Sequence, residues 1–421
     1  MLTAEQNQRL TETGAGTPMG ELLRRYWQPL APSAELNEEN PTKEVRLLGE
    51  DLVLFRSAAG KIGLVEPSCP HRKANLSYGV PEPEGIRCAY HGWLFDVDGN
   101  CVDQPSEPAG SRFKEKVKLK AYKTQELGGI IFAYMGPDPA PFLPKWDILT
   151  WEGVERNILM MELPINWLQC MDNSLDPVHF DWLHNYWGSY VLGMEKPPEE
   201  RAAWKKNMQS EGARGRHELK VGFDVFEYGI IKRRLMEGDD EENEWWRIGH
   251  PVLFPNILRV GSGDWHSFQM RVPMDDTHTL HLVYRTRQPK EGEIIEQTEV
   301  PFEYPEVYKP NGRIRADWVL GQDQAAWIIQ GPICDRTTEH LGVTDVGIIL
   351  FRKVLEENMK TVEDGGDPIN VHRQDKGVIY LPQEHSHYPG FEGTGGPFKD
   401  KANVKPQVEA MLAETIDANF R

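Results

Sequence analysis

The sequence has no long hydrophobic run and no excess of positive charge, and we expect no secretory leader. None of its apolar stretches approaches the ~20 residues that span a bilayer, and its start, MLTAEQNQRL, lacks the basic and apolar regions of a signal peptide. Lys and Arg number 47 against 65 Asp and Glu, a net charge of −18, which argues against nucleic acid or an anionic membrane as partner. We therefore expect a cytoplasmic protein.

Cysteine is also scarce, with five in 421 residues. Two of the five belong to the motif described next. We interpret the other three as buried free thiols in a reducing compartment: Cys101, Cys170 and Cys334. Hydrophobic residues make up 39% of the chain, enough for sizeable cores, and the length suggests two or three domains.

The most informative stretch is a pair of short motifs, C-P-H at 69–71 and C-A-Y-H at 88–91. Two thiolates and two imidazoles can bind a tetrahedral zinc, or a two-iron, two-sulfur cluster with two Cys on one iron and two His on the other. Zinc motifs usually pair Cys with Cys and His with His. Here each motif supplies one of each, which favours the cluster. The ligand candidates are Cys69, His71, Cys88 and His91.

A second candidate metal site is D-P-V-H-F-D-W-L-H at 176–184. His179 and His184 could be two ligands of a non-haem iron(II), with a carboxylate as the third. Residues five apart on a regular helix point about 140° from each other, so both can reach one metal only if a π-bulge or a break lies between them. The alternative is an ordinary helix start, since Asp176 before Pro177 is a good N-cap.

Hydrophobic periodicity predicts two modules. Residues 3–27 should be helical with a break, and alternation between 43 and 134 indicates short antiparallel strands that carry the two Cys-His motifs. The proline-rich run 136–146 is typical of a linker. The predicted domains are therefore 1–145 and 146–421.

The second module is predicted to be a sheet covered by helices. Alternation returns over 218–287 and predicts four or more antiparallel strands, and helices should follow at 313–331 and 344–359. Residues 188–215 are polar and expected to be loop-like, with a last helix near 407–419. The whole chain is then α+β, with an antiparallel sheet gripped by helices in its second part.

Together the two motifs resemble those of the oxygenase (α) subunits of the Rieske non-haem iron oxygenases. Similarity extends along nearly the whole chain, through segments such as CPHRKANLSYG, CAYHGWLFDVDGNCVDQPSEP and RVPMDDTHTLH, and resembles the phthalate 4,5-dioxygenase and aromatic O-demethylase branch. The resemblance implies a [2Fe-2S] Rieske cluster on the first four ligands and a mononuclear non-haem Fe(II) on the second set. One departure is Lys73, where members often carry Gly; it should be exposed beside the cluster.

The resemblance also implies roles for two acidic residues. The family's third iron ligand opens a downstream helix, where an acidic or amide residue precedes Asp. The sequence Gly321-Gln322-Asp323 fits this context, so Asp323 is the predicted ligand. The competitors are Asp317, Asp335 and Asp345. The Asp at position 176 of the motif is not a ligand in the family; it bridges toward the cluster of a neighbouring subunit and couples electron transfer to catalysis.

As a member, the chain would be the terminal oxygenase of a multicomponent system. A reductase, with or without a ferredoxin, would deliver electrons from NAD(P)H, and O2 would oxygenate an aromatic, carboxylated substrate. The reaction would be O-demethylation or another monooxygenation, or ring dihydroxylation. Head-to-tail packing implies a homotrimer or a multiple of it. The alternatives are a Rieske electron-transfer protein without oxygenase activity, and a zinc protein with a ligand-binding sheet.

The substrate pocket is expected between the iron-site helices and the strands of 218–287. Its candidate residues are Asn173, Trp187, Phe254, Asn256 and Arg259. An inward-facing Arg247 or Arg259 would favour an aromatic carboxylate, but alternation alone does not decide which face either takes. Arg72 or Trp93 could shape the rim of the cluster, with ordinary packing as the equal alternative.

Overall fold

The computed structural model describes residues 1–208, 216–383 and 416–419. Most of their strands belong to antiparallel sheets in two modules, the second covered by helices, and this confirms the predicted α+β class. Among the described helices, none has both the length and the apolar run needed to cross a bilayer.

The first module consists of short strands between residues 27 and 134. They are β1 (Trp27–Pro32), β2 (Thr42–Leu47), β3 (Glu50–Arg56), β4 (Ile62–Val65), β5 (Val80–Pro81), β6 (Gly85–Arg87), β7 (Leu94–Asp96), β8 (Cys101–Asp103), β9 (Ala121–Leu127) and β10 (Ile130–Tyr134). One sheet has the order β1-β10-β9-β4-β3-β2 and a smaller one the order β5-β6-β7-β8. Buried side chains from both sheets, including Phe55, Ile86 and Phe95, form one core. The first Cys-His motif follows β4, and the second connects β6 to β7.

Two helices precede these strands, α1 (Ala4–Thr11) and α2 (Pro18–Leu23). Thr3 and Gln6 form a capping box at the start of α1. The extension makes contacts with the second module: Leu2 N donates to Arg336 O at 3.1 Å, and Arg9 pairs with Glu356 at 3.0 Å. The N-terminal helices, which the sequence grouped with the first domain, are therefore anchored on the second.

The second module is built on one long, mainly antiparallel sheet. Its strands are β12 (Glu155–Leu163), β13 (Glu218–Phe226), β14 (Gly229–Met236), β15 (His250–Leu253), β16 (Ile257–Ser262), β17 (Trp265–Asp275), β18 (His278–Arg287), β19 (Phe302–Glu303) and β21 (Ile416–Asn419), in the order β19-β12-β18-β17-β16-β15-β14-β13-β21. Two further short strands, β11 (Lys145–Trp146) and β20 (Val378–Ile379), pair with each other. The stretch 218–287 thus contains six strands, in line with the prediction of four or more.

Helices cover this sheet and connect its strands. They are α3 (Asp147–Thr150), α4 (Trp167–Ser174), a π-helix (Phe180–Trp187), α5 (Gly188–Met194), α6 (Pro198–Met208), α7 (Glu244–Arg247), α8 (Val319–Ile328) and α9 (Val346–Glu363). Short 3₁₀ turns span Ser33–Glu35, Leu76–Tyr78, Phe113–Lys116 and Val343–Asp345.

Two sequence expectations need correction. Residues 188–208 are not loop-like but form α5 and α6. In α6, Pro198 opens the helix, Glu199 and Glu200 lie in its first turn and lysines in its last, an arrangement that favours a helix in spite of the polar composition. Of the helix predicted near 407–419, residues 407–415 lie outside the described part, and 416–419 form β21, paired with β13.

The two faces of the long sheet meet different neighbours. Residues directly opposite on adjacent strands share a face, as do residues two apart on one strand. By this rule one face carries Lys232, His250, Val252, Leu258, Gln269 and Val283. Val283 packs with Leu320 and Trp327 of α8, so we name this set the helix face. Phe268 and Tyr284, on the opposite face, join the core that extends to the first module.

Candidate functional site

The two Cys-His loops of the first module are closed by local hydrogen bonds. Lys73 N donates to Cys69 O at 2.8 Å, and Gly92 N donates to Cys88 O at 3.0 Å. Both donors have left-handed backbone, with φ of 61° at Lys73 and 73° at Gly92. A side chain with a Cβ is unfavourable there by ~1–2 kcal/mol. The turn therefore favours glycine at position 73, and Lys73 adopts this backbone at an energetic cost.

The four cluster-ligand candidates converge at the tips of these loops. The thiols of Cys69 and Cys88 contact each other and are buried, and burial raises the pKa of Cys69 to about 11. The ring centroids of His71 and His91 lie 4.4 Å apart, His71 exposed and His91 half-buried. Two buried sulfurs beside two imidazoles nearer the surface fit a two-iron cluster with one sulfur-bound and one nitrogen-bound iron.

Aromatic rings frame the two histidines. The ring of Trp93 stacks on His71 with 4.5 Å between centroids and 7° between planes. The ring centroids of Tyr90 and His91 lie 3.8 Å apart. The guanidinium of Arg72 lies 5.2 Å from the centre of the Tyr90 ring. Trp93 therefore shapes the rim directly and Arg72 does so through Tyr90, a residue whose role the sequence did not reveal.

A second donor set lies where the π-helix meets α8. His179, His184 and Asp323 each offer one ligand atom, and these three atoms lie within 4.8 Å of one another. Asp323 Oδ1 is 3.2 Å from His184 Nε2 and 3.7 Å from His179 Nε2. Ligand atoms about 2.1 Å from a metal and at right angles lie about 3 Å apart. The three side chains thus fit a single metal ion with one anionic and two neutral ligands.

The two histidines meet because the segment after His179 is a π-helix, Phe180–Trp187. In a π-helix the backbone bonds run from i to i+5, so residues five apart fall on one side. On an α-helix they would diverge by about 140°. The distortion that the D-x-x-H-x4-H spacing predicted is therefore present.

Each histidine ring forms a hydrogen bond through Nδ1, the ring nitrogen that does not face Asp323. For His179 the partner is the carbonyl oxygen of Asp176 at 2.7 Å, and for His184 it is Gln322 Oε1 at 2.9 Å. Burial lowers the pKa of His179. Burial also acts to lower that of His184, but hydrogen bonds from the ring to Asp323 and Gln322 outweigh it, and the pKa is raised. Both rings present Nε2 to Asp323.

The competing aspartates have other partners. Asp335 accepts from Thr337, Asp345 accepts from Gly342 N at 2.6 Å, and Asp317 lies 3.6 Å from Arg315. Within the described residues, none of these three aspartates belongs to the donor set of His179, His184 and Asp323. The geometry therefore favours Asp323 among the candidates.

A hollow of about 480 Å³ lies beside His179. Asp176 lines it, together with Asn173 and Trp187, two of the predicted substrate-pocket residues. The structure thus brings these two residues next to the metal-binding segment.

Arg259 does not face this site. It lies opposite Phe268 on β17, on the face of the sheet that points away from the helix face. Its guanidinium pairs with Asp147 at 2.6 Å, and both side chains are fully buried. Arg247, the other candidate for a carboxylate partner, is exposed on α7. Neither arginine therefore supports an aromatic acid as substrate.

Phe254 and Asn256 also serve the core. They lie in the turn between β15 and β16, where the Phe254 ring packs at 5.9 Å from that of Tyr26. Asn256 donates to Gln28 Oε1 and to Arg271 O, both at 3.0 Å. Both residues were pocket candidates because they fall within the predicted strand region 218–287, but these contacts indicate packing.

The variant Arg259→Met is expected to destabilise the fold without a specific effect on substrate binding. Breaking a buried ion pair costs about 3–5 kcal/mol, because Asp147 would stay buried without its charge partner. Urea unfolding measures this loss, and the double variant with Asp147→Leu should recover part of it. An increased KM in fully folded Arg259→Met would contradict this assignment.

Several cations on the helix face were missed by the sequence analysis, and Lys232 is the one that acts on both histidines. Lys232 is opposite His250 on β15, and its charge acts to lower the pKa of both His179 and His184. Lys232 therefore lies within electrostatic reach of the donor set. The sequence G-I-I-K-R-R-L-M at 229–236 contains three consecutive cations. The strand register shows that Lys232 and Arg234 turn to this face, whereas Arg233 turns to the other face and pairs with Asp224.

Comparison with known families gives two matches. Residues 26–123 match the family described as the Rieske [2Fe-2S] domain, and this range includes both Cys-His loops. Residues 317–381 match the family described as LigXa C-terminal domain like, which includes Asp323.

Similar whole proteins extend the match to nearly the full chain. The 5,5'-dehydrodivanillate O-demethylase oxygenase subunit of Sphingobium sp. (strain NBRC 103272 / SYK-6) is 41% identical over 392 residues, 91% of this chain and 87% of that protein. The phthalate 4,5-dioxygenase oxygenase subunit of Pseudomonas putida is 32% identical over 401 residues, 88% of this chain and 89% of that protein. Among solved structures, Pseudomonas putida CBB5 NdmA shares the fold, with a TM-score of 0.58 at 20% identity over 85% of this chain and 99% of that one.

Proposed function

Because this chain belongs to the oxygenase subunits of the Rieske non-haem iron oxygenases, we propose that its two donor sets hold the family's two metal cofactors. The [2Fe-2S] cluster is held by Cys69, His71, Cys88 and His91, and the mononuclear iron by His179, His184 and Asp323. The second assignment rests on one observation. Two segments that are distant in sequence bring three ligand atoms to within 4.8 Å of one another. This observation also argues against an electron carrier without oxygenase activity, which needs no second site.

The residues around the iron site determine what can happen there. When bound, the cluster relays electrons and the iron activates O2. His179, His184 and Asp323 supply three ligands, and such a facial set leaves the remaining positions to small molecules. The Nδ1 hydrogen bonds of both histidines keep Nε2 directed at the metal.

The substrate is a methoxylated aromatic acid, and the reaction is O-demethylation. The support is the 41% identity to a dehydrodivanillate O-demethylase subunit, against 32% to a phthalate 4,5-dioxygenase subunit. One oxygen atom of O2 enters a C–H bond of the methoxy group. The other leaves as water, with two electrons and one proton from NAD(P)H and a second proton from solvent. The hemiacetal so formed releases formaldehyde and leaves a phenol. Ring dihydroxylation, which keeps both oxygen atoms, is the second candidate because of the phthalate relative.

The test is O2 uptake with NADH, a matched reductase and a panel of aromatic acids, with products identified by mass. Formaldehyde formed in equal amount to a phenol supports O-demethylation. A product heavier by two oxygen atoms makes the protein a ring dihydroxylase. Absence of NADH-dependent uptake, in protein with full iron and acid-labile sulfide, would overturn the oxygenase proposal.

Lys232 is the charge partner of the substrate carboxylate. It lies on the helix face of the sheet, the face covered by α8 with Asp323, and it acts electrostatically on both histidines. A hydrogen bond to a charged group contributes about 1.5–3 kcal/mol. A carboxylate held at this strand would lie on the face of the sheet that α8, with Asp323, covers.

The variant Lys232→Met is therefore expected to raise KM for the aromatic acid about 10-fold, the loss of ~1.4 kcal/mol of charge-assisted binding. Lys232→Arg keeps the charge and should stay near wild type. The methyl ester of the same acid, which lacks the charge, should show equal KM values with the wild type and Lys232→Met. If Lys232→Met raised KM equally for the acid and the ester, Lys232 would not be the charge partner of the carboxylate.

Membership of this family supports the following partners. Electrons come from a reductase, with or without a ferredoxin, and the subunits form a closed head-to-tail homotrimer or a multiple of it, in which one chain's cluster lies beside the next chain's iron. None of the five cysteines forms a disulfide, which supports a reducing, cytoplasmic location. Light scattering of the metal-loaded protein tests the assembly, and a monomer at working concentration would contradict it.

A further inference from the structure

We propose that Gln322 is a positioning residue that fixes both the tautomer and the direction of the His184 ring. This inference rests on the proposed iron site and adds a residue to it. Gln322 precedes Asp323 on α8, so one helix turn supplies both an iron ligand and the support of another ligand. The two residues act on opposite sides of the same imidazole: Gln322 contacts Nδ1 at 2.9 Å, and Asp323 Oδ1 lies 3.2 Å from Nε2.

The orientation of the Gln322 amide follows from its second hydrogen bond. Nε2 of Gln322 donates to the carbonyl oxygen of Ala316 at 3.2 Å, and a carbonyl can only accept. The amide oxygen must therefore be the group that faces His184, and it too can only accept. Nδ1 of His184 then carries the hydrogen, which leaves a lone pair on Nε2 for the metal.

His179 reaches the same tautomer in a different way. Its Nδ1 bonds to the backbone carbonyl of Asp176 at 2.7 Å, and no side-chain substitution removes that oxygen. The support of His184 comes from a side chain 138 positions away. Of the two rings, His184 is therefore the one whose support can be removed by mutation.

Gly188 provides the space for this amide. A Cβ at position 188 would lie 2.7 Å from Gln322 Nε2 and 3.0 Å from both Cδ and Oε1. Gly188 has φ of −57°, an ordinary helical value, so its conformation does not require glycine. Glycine is required at position 188 because the Gln322 amide approaches so closely that it leaves no space for a Cβ. The segment that carries His184 thus leaves room, four residues later, for the side chain that holds that ring.

The experiment is a Co(II) titration of full-length, cluster-loaded protein whose mononuclear iron has been removed with a mild chelator. Gln322→Met has nearly the same shape but no acceptor, and should weaken Co(II) binding about 10- to 100-fold, as loss of a ligand's hydrogen-bond partner does elsewhere. Gln322→Glu keeps an acceptor for Nδ1–H and should bind more tightly than Gln322→Met. Gly188→Ala, which displaces the amide from the other side, should also weaken binding and alter the ligand-field spectrum of bound Co(II).

The matched control is Gln324→Met. Gln324 is buried on the same helix, and its amide donates to Met161 Sδ, so this variant loses a buried amide without touching His184. It should bind Co(II) as the wild type does. If Gln322→Met and Gly188→Ala also bind as the wild type does, the inference is overturned. If the wild type itself binds no Co(II) at this site, the proposed iron site fails instead.

Discussion

The variant Asp323→Ala is expected to lose oxygenase turnover by about a thousandfold or more, ~4 kcal/mol, and to keep its [2Fe-2S] cluster. Asp323 is the anionic member of the donor set, and its Oδ1 is the atom that both histidine Nε2 atoms approach. Without it two neutral imidazoles remain, and the site lacks the carboxylate that completes the two-His, one-carboxylate ligand set of non-haem Fe(II). The cluster loops belong to the other module and do not contact Asp323.

Iron and acid-labile sulfide per chain measure this result. The wild type should contain three irons for two sulfides, two in the cluster and one at the mononuclear site, and Asp323→Ala should contain two. Asp335→Ala is the control, since Asp335 is exposed and bonded within its own loop to Thr337. If Asp323→Ala retains the third iron and its turnover, another residue is the third ligand.

Local chemistry explains why the two Cys-His loops and the π-helix could be predicted from sequence. Each Cys-His loop is a short turn closed by its own backbone, so spacing alone determines where its ligands point. The same holds for His179 and His184, since a five-residue interval cannot serve one metal on a regular helix. In both cases the prediction needs no knowledge of distant strands.

The face that a strand residue takes depends on its cross-strand partners, and sequence alone did not provide them. Arg259 and Lys232 both lie in alternating stretches, yet the register turns Arg259 to Asp147 and Lys232 to the helix face. A shift by one residue would exchange the two faces. The candidate pocket residues were uncertain for this reason, whereas His179 and His184 depend only on their local spacing. The third ligand, Asp323, had three competitors in the sequence.

Long-range contacts account for Gln322, which sequence reasoning used only as context for Asp323. Its role depends on Ala316 and His184 in three dimensions, and the glycine that makes room for it lies on another helix. The opposite case is α6, where Pro198 and the charges of the first turn were visible in the sequence. These features favour a helix, but the polar composition of residues 188–215 led to the wrong prediction of a loop.

The variant Asp176→Asn is expected to separate electron delivery from metal binding. Asp176 Oδ1 accepts from Val178 N at 2.8 Å, and its carbonyl holds His179. Asparagine caps a helix as well as aspartate does, and the carbonyl is unchanged, so the fold and the iron site should remain. What disappears is a negative charge at the edge of the hollow beside His179, where we propose the link to the neighbouring subunit's cluster.

Turnover of Asp176→Asn with NADH should therefore fall about a hundredfold or more, ~3 kcal/mol, the upper value for a hydrogen bond to a charged group. Stopped-flow reoxidation of the fully reduced protein, with substrate and O2 present, should show a slow cluster phase although iron and sulfide are complete. Asp364→Asn, an exposed aspartate paired with Lys360 at the end of α9, should react as the wild type does. A fast cluster phase in Asp176→Asn would mean that electrons reach the iron by a path that does not include this carboxylate. Loss of iron would mean that Asp176 acts through the position of His179 instead.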